Sequence, residues 1–271
     1  MSTHALNLNA YLARIGYSGS PEASLPVLRT LALHHAQAIP FENLNPFLGL
    51  PVSLSLADVE RKLVHEGRGG YCFEQNLLFG QALRRIGFDV TDLAARVLWT
   101  QPDDAKTART HMLLAVDLGD EPYLVDVGFG GQTLTGALRL RADVPQATPH
   151  GAFRLLRDDS QWRMQSRIQG EWRSLYRFDL SPQYAVDYEI TNYYLSTHPR
   201  SHFTQNLIAA RPTPLARLAL QNRDYAVHAA GGESTRRRLE SAREILQVLT
   251  DDFGIVLPDT PDLIARLDAL F

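Results

Sequence analysis

Among 271 residues there is one cysteine, Cys72. It stands in the run Arg68–Asn76 (RGGYCFEQN), directly after two glycines and at the head of a segment with helical periodicity that Gly87 closes. A thiol at a helix start meets the positive end of the helix dipole and N–H groups without intrahelical partners. Both favour a thiolate, and both can stabilise an oxyanion on an acyl group carried by the sulfur. A lone cysteine is more often a small buried hydrophobe; the glycines and the helix start set this one apart. Nucleophilic sulfur needs a base, and nine histidines compete. His34 and His35 fall inside a helix and His65 near the end of another, while His4, His150, His198, His202 and His228 fall in turns or mixed segments. His111 begins the alternating run HMLLAVDL. Asp126 lies among apolar neighbours in the next run, YLVDVGF, where an unpaired carboxylate would be costly.

Register ties these two together. His111 and Asp126 are 15 positions apart, an odd separation, so a hairpin with an even loop puts them on one face. A two-residue turn at Leu118-Gly119 makes them direct partners. A turn at Gly119-Asp120 leaves them one diagonal step apart, roughly 7–8 Å between Cα atoms. A four-residue loop over 119–122 separates them too far. With Cys72 they form a candidate nucleophile, base and orienting carboxylate. The bland alternative for Asp126 is a cap on a neighbouring backbone group.

The elements that must carry these residues fall into three blocks. Residues 1–87 read as helices: an apolar stripe from Leu6 to Ile15, Val27 to Ala38 with Pro26 in its first turn, and Ser55 to about Glu66 behind a capping-box-like Ser55/Asp58 pair. From residue 88 to 190 the period becomes two, with turns at GDEP, DDS and QG and no intervening helices, which favours an antiparallel sheet or barrel over βαβ units. Residues 191–271 are mixed α/β, with helices expected over Ser234–Phe253 and after Pro261; the stretch around DYEITNYYLSTHP has no clear period.

Composition excludes several classes. One cysteine rules out an intramolecular disulfide framework and a cysteine-rich zinc site, so no metal is expected. No apolar run is long enough to span a membrane, and the first residues lack a signal-peptide pattern, so a cytoplasmic protein is expected. The net charge is −3, and the one basic cluster, Arg236–Arg238, reads as a solvated helix face, so nucleic acid is not the expected partner.

The motifs PFENL (40–44), RGGYCFEQN (68–76), RTHMLL (109–114), YLVDVGFGG (123–131) and the late FGIVL (253–257) resemble those of the arylamine N-acetyltransferases, with weaker similarity toward the C-terminus. The resemblance implies an α+β fold: an N-terminal helical bundle, a central antiparallel β-barrel and a C-terminal α/β lid around a cysteine-protease/transglutaminase-like core. It implies a triad of Cys72, His111 and Asp126. The activity implied is ping-pong acetyl transfer from acetyl-CoA, a co-substrate rather than a resident cofactor, to arylamines or arylhydrazines, and a homodimer is compatible with it. The same resemblance implies an acceptor pocket of Phe41, Tyr71, Val97, Phe129 and Phe203, and CoA contacts at Thr110, Gly128, Gly130 and Gly131. Arg68 and Glu42 resemble a buried pair supporting the cysteine loop, and His202-Phe203 falls where the lid faces the cleft. For any one of these five the plain alternative is core packing, with Val97 as open to it as to the pocket; Phe129, between two glycines, fits that least. The rival readings are a transglutaminase-like hydrolase or transamidase using the same triad, and a small-molecule binding module with an inert thiol.

Overall fold

The computed structural model describes residues 4–119, 121–230 and 232–271. Helices lead the chain: α1 (Leu8–Arg14), α2 (Leu25–Ala38), the two-residue strand β1 (Phe41–Glu42), the short α3 (Leu44–Phe47), α4 (Leu56–Glu60) and α5 (Cys72–Ile86). Local chemistry sets their ends. The Asn7 side chain accepts from the Ala10 N–H at the start of α1, and Pro26 sits in the first turn of α2. Ser55 caps α4, but the Asp58 carboxylate binds the Ser53 and Ser55 hydroxyls instead of the Ser55 N–H, so half a capping box forms. A π-helical turn, Arg61–His65, extends α4, and α5 ends at Gly87 with a left-handed φ of 106°.

Eight strands follow: β2 (Asp89–Val97), β3 (Arg109–Asp117), β4 (Pro122–Val125), β5 (Leu138–Arg139), β6 (Gln146–Thr148), β7 (Gly151–Asp158), β8 (Gln161–Ile168) and β9 (Glu171–Phe178). They pair antiparallel in the order β5-β4-β3-β2-β9-β8-β7-β6. The two edges meet through one side chain: Gln146 accepts from the Arg139 N–H at 2.8 Å and donates to its carbonyl at 2.9 Å. A near-barrel results. The chain then forms α6 (Ala185–Thr197), α7 (His202–Gln205), β10 (Ile208–Pro212), β11 (Ala216–Gln221), β12 (Asp224–Ala229), β13 (Ser234–Arg238), α8 (Ala242–Gln247) and α9 (Asp262–Asp268). Strand β1 joins β10–β13 in a second antiparallel sheet, so the first helical block and the last block share a ladder.

Two segments depart from the sequence reading. Residues 234–238 are a strand, not the start of a helix; Arg236–Arg238 pair with β12 on an exposed edge, and helix begins only at Ala242, where Ser241 caps it. A hairpin ladder overrides the helix propensity of three arginines there. The unassigned stretch around residue 190 is helix α6, whose buried residues Tyr188, Asn192, Leu195 and Ser196 recur at helical spacing.

Strand β3 is buried on both faces, and this positions the site. Met112, Leu114 and Val116 pack with Leu28, Leu63 and Phe79 of the helices, while Leu113 belongs to the barrel core with Leu93, Phe153, Met164 and Tyr176. His111 shares the parity of Leu113 and faces the barrel aromatics. A third cluster, including Leu207, Leu220, Leu249 and Phe253, holds the second sheet to its helices. Among the described residues no helix is long and apolar enough to cross a membrane.

Candidate active site

Cys72 is the first residue of α5 and only 4% exposed. The glycines before it are a steric requirement. A β-carbon on Gly69 would fall 2.0 Å from the Pro40 carbonyl oxygen, and one on Gly70 would fall 2.6 Å from a Glu74 oxygen. Glu74 closes the turn by accepting from the Tyr71 N–H at 3.1 Å, and its other oxygen accepts from Lys62 at 2.7 Å. Burial raises the Glu74 carboxyl above its usual range, although Lys62 pulls it down. Arg68 donates twice to Glu42, at 2.9 and 2.7 Å, and that pair is buried. Burial works against the Glu42 charge, but Arg68, Lys62 and the Leu44 N–H together hold it below the normal carboxylate range. The loop that presents Cys72 is thus tied to β1 and to the start of α3.

Opposite the helix start, the Cys72 thiol donates to the Thr110 carbonyl at 3.7 Å. The next residue, His111, donates from Nε2 to Asp126 Oδ2 at 2.7 Å. The hairpin register, with Leu114 opposite Val125 and Asp117 opposite Pro122, leaves His111 and Asp126 one diagonal step apart; the turn expected at Gly119-Asp120 includes Asp120, which lies outside the described residues. Asp126 follows the last residue of β4, so its side chain can cross the diagonal gap. Asp126 Oδ1 accepts from the Gly128 N–H and from Asn76 Nδ2, both at 3.0 Å.

Electrostatics follow from this wiring. Burial alone would lower His111, but the charge and hydrogen bond of Asp126, followed by its contact with Cys72, outweigh it and push the ring up to about 10. Burial opposes the charge on Asp126, yet His111, Gly128 and Asn76 keep its carboxyl below the usual range. With Nε2 committed to Asp126, Nδ1 is the nitrogen left for the thiol. A charged imidazole beside a sulfur at a helix start is an arrangement for nucleophilic acyl transfer.

Three further contributors surround the triad; Asn76 and Thr110 lie within the motifs RGGYCFEQN and RTHMLL, while Tyr176 lies in none of them. Asn76, one turn after Cys72, donates to the Met112 carbonyl (2.8 Å), to the Cys72 carbonyl (3.3 Å) and to Asp126, and accepts from the Val127 N–H (3.1 Å), joining α5 to both strands of the hairpin. Tyr176 lies 5.1 Å from the His111 ring, centroid to centroid, and its hydroxyl is pushed well above its normal range by burial and the Asp126 charge. The Thr110 carbonyl is the third. Asn76 could have been found from its place at the end of RGGYCFEQN, four residues after Cys72 and so on the same helix face.

The pocket residues proposed from sequence fall into two groups. Phe129 meets the His111 ring edge-on at 5.0 Å and Tyr176 at 5.1 Å. Val97 pairs with Tyr176 at the end of β2. In the cluster that includes Cys72, Phe203 lies 5.4 Å from Tyr71 and 6.2 Å from Phe41, and Phe41 also borders Gly130. Gly130 and Gly131 form a 3-10 turn after Phe129. Gly128 belongs to packing: a β-carbon there would meet Cys72 Cα and Asn76 Nδ2, each at 2.8 Å. His202 heads α7 beside Phe203, with its ring hydrogen-bonded to Asn206. A cavity of about 490 Å³ behind Tyr71, lined by residues 51–55 and by α6, contains none of Cys72, His111 or Asp126.

An open antiparallel barrel, a helix-borne thiol and a His–Asp pair on and just beyond one of its hairpins define a thiol acyl-transfer class. The family model described as N-acetyltransferase matches residues 24–262. The arylamine N-acetyltransferase of Mycolicibacterium smegmatis is 44% identical over 94% of each chain, and that of Escherichia coli K12 is 40% identical over 97% of this chain and 96% of its own. Among solved structures, the M. smegmatis arylamine N-acetyl transferase superposes with a TM-score of 0.93 at 43% identity over 98% of both chains. The Mycobacterium marinum arylamine N-acetyltransferase in complex with CoA gives 0.93 at 41% identity, over 97% of this chain and 99% of its own. The chain belongs to the arylamine N-acetyltransferase family.

Proposed function

We propose that the protein is an acetyl-CoA-dependent arylamine N-acetyltransferase in which Cys72 is the nucleophile, His111 the proton carrier and Asp126 the residue that orients the ring. The 2.7 Å bond between His111 and Asp126 next to the thiol of a helix-initial cysteine carries this reading. In the first half-reaction the Cys72 thiolate attacks the thioester carbonyl. The tetrahedral intermediate collapses as the carbon–sulfur bond to CoA breaks, and His111 protonates the departing thiolate. In the second, an arylamine or arylhydrazine nitrogen attacks acetyl-Cys72. The first half leaves His111 neutral beside acetyl-Cys72; in the second His111 takes the nitrogen's proton and the cysteine sulfur leaves as the thiolate, which restores the starting pair. Exchange between two thioesters is nearly balanced, which keeps the acetyl group reactive toward a weakly basic amine. Closing off water around the sulfur limits hydrolysis of that intermediate.

Phe41, Tyr71, Phe203, Phe129 and Val97 are the proposed walls for the acceptor ring. Thr110, Gly128, Gly130 and Gly131 are the proposed neighbours of CoA; for Gly128 the tight packing on Cys72 favours a role in seating the helix start. A free thiol in this role fits the reducing cytoplasm. The test is release of CoA thiol from acetyl-CoA on addition of an arylamine such as aniline or 4-anisidine, with the N-acetyl product identified by mass. Amine-dependent release supports the reading; turnover of glutaminyl peptides without CoA would replace it with the transamidase alternative. Sedimentation velocity on the same preparation tests the homodimer.

A further inference from the structure

Strand β11 carries a buried cation that the reaction as described leaves unused. Arg217 is 7% exposed, and among the described residues it has no carboxylate partner. Its guanidinium is satisfied by carbonyls instead. One terminal nitrogen donates to Gly131 O at 3.3 Å and Thr133 O at 2.9 Å, and the other donates to His150 O at 3.2 Å. The titratable groups facing it are His150 and His228, both of which it pushes toward the neutral form. A guanidinium buried without a counter-charge is expensive, and burial lowers Arg217 to about 10. Its planar fork of donors reaches three carbonyls on two separate loops.

What it holds is the turn that begins at Phe129. Gly130–Gln132 form the 3-10 turn with Phe129 at its head, and Thr133 closes it by donating to the Gly130 carbonyl. Arg217 grips two of the carbonyls of that turn, and a third on the His150 loop. Phe129 in turn packs edge-on against His111, on the ring whose Nε2 binds Asp126. We infer that Arg217 is a positioning residue for catalysis: it fixes the Gly130–Thr133 turn so that Phe129 holds the His111 ring in line with Cys72. The inference rests on the triad reading above. It assigns a kinetic role to a residue from the second sheet, which touches neither the triad nor the sulfur.

The test is a double-mutant cycle in kcat with acetyl-CoA and an arylamine, using Arg217→Gln, Phe129→Ala and the pair. Arg217→Gln is expected to lower kcat about tenfold, since a misoriented general base is costly. In the Phe129→Ala background the same change is expected to cost less than about twofold, because the lever through which it acts is gone. Should Arg217→Gln not fold, Arg217→Lys replaces it in the same cycle: a single ammonium cannot span three carbonyls, and a several-fold loss of kcat at near-normal Tm is expected. Equal losses in both backgrounds, or a lowered Tm with unchanged kcat, overturn the inference. Cys72→Ala in the same assay reads the functional proposal separately, so the two can fail independently.

Discussion

Gly128 stands so close to Cys72 that a β-carbon at position 128 would lie 2.8 Å from the Cys72 Cα. Two segments far apart in sequence, the glycine loop after β4 and the first residue of α5, are therefore closely packed, two residues beyond Asp126. Gly128→Ala must push them apart, because a backbone carbon cannot yield as a side chain can. We expect a loss of about 1–3 kcal/mol in urea unfolding and at least a tenfold drop in kcat. Gly131 meets nothing within 4 Å and needs no left-handed backbone, so Gly131→Ala is expected to unfold at the wild-type urea midpoint. Equal stability losses for the two variants would contradict the close-contact argument.

Asp126→Asn keeps the shape of the site but removes the charge that raises His111. The amide can still accept from Gly128 or Asn76, so folding is expected to survive. The ring loses its anchor and its charge, and turnover should fall by roughly two to four orders of magnitude. Steady-state kinetics beside a thermal melt checks this; near-normal turnover would remove Asp126 from the mechanism.

Acid should destabilise the fold through His35. This ring is buried between α1, α2 and α5, with Nδ1 2.9 Å from the Tyr11 hydroxyl and Nε2 2.7 Å from Gln75 Oε1. The Gln75 amide nitrogen donates to the Ile39, Pro40 and Gly70 carbonyls, so its oxygen accepts from His35 and the ring is neutral. Burial lowers His35 to about 4, against a partial rise from the Gln75 bond. Between the unfolded value near 6.5 and about 4, the unfolded chain binds a proton that the folded chain refuses. Stability therefore falls as pH falls through that window, by about 2 kcal/mol between pH 7 and pH 5. Urea unfolding of wild type and His35→Asn at both pH values isolates this share, since other groups titrate in both proteins. An identical pH dependence in the two would contradict it.

Much of this site was legible before the fold. Cys72 opens a helix whose glycines and closing Gly87 are local signals, and a change of period from 3.6 to two marked the passage from helices to barrel. Parity along the hairpin put His111 and Asp126 on one face, but counting left three registers open, from direct partners to too far apart, and the observed ladder selects the diagonal one. The roles of Asn76, Tyr176 and Arg217 were not legible, although Asn76 lies inside the motif RGGYCFEQN. Each acts through partners on other elements, and an amide, a phenol or a guanidinium has no periodic signature for such a task. Strand β13 was hidden for a different reason: Arg236–Arg238 have no buried face, so nothing in their pattern separates an exposed edge strand from a solvated helix. Helix α6 was hidden by its β-branched and aromatic residues, which favour strands locally; packing of Tyr188, Asn192 and Leu195 decides the matter.

The central claim is that acetyl passes through the sulfur of Cys72, and intact-mass spectrometry addresses it without any model of the acceptor. Purified protein is mixed with acetyl-CoA, desalted and weighed, then exposed to an arylamine and weighed again. The account predicts one acetyl group added, located by peptide mapping at Cys72, absent in Cys72→Ala and removed on addition of the amine. An unchanged mass together with active acetyl transfer, or turnover by Cys72→Ala, would contradict it.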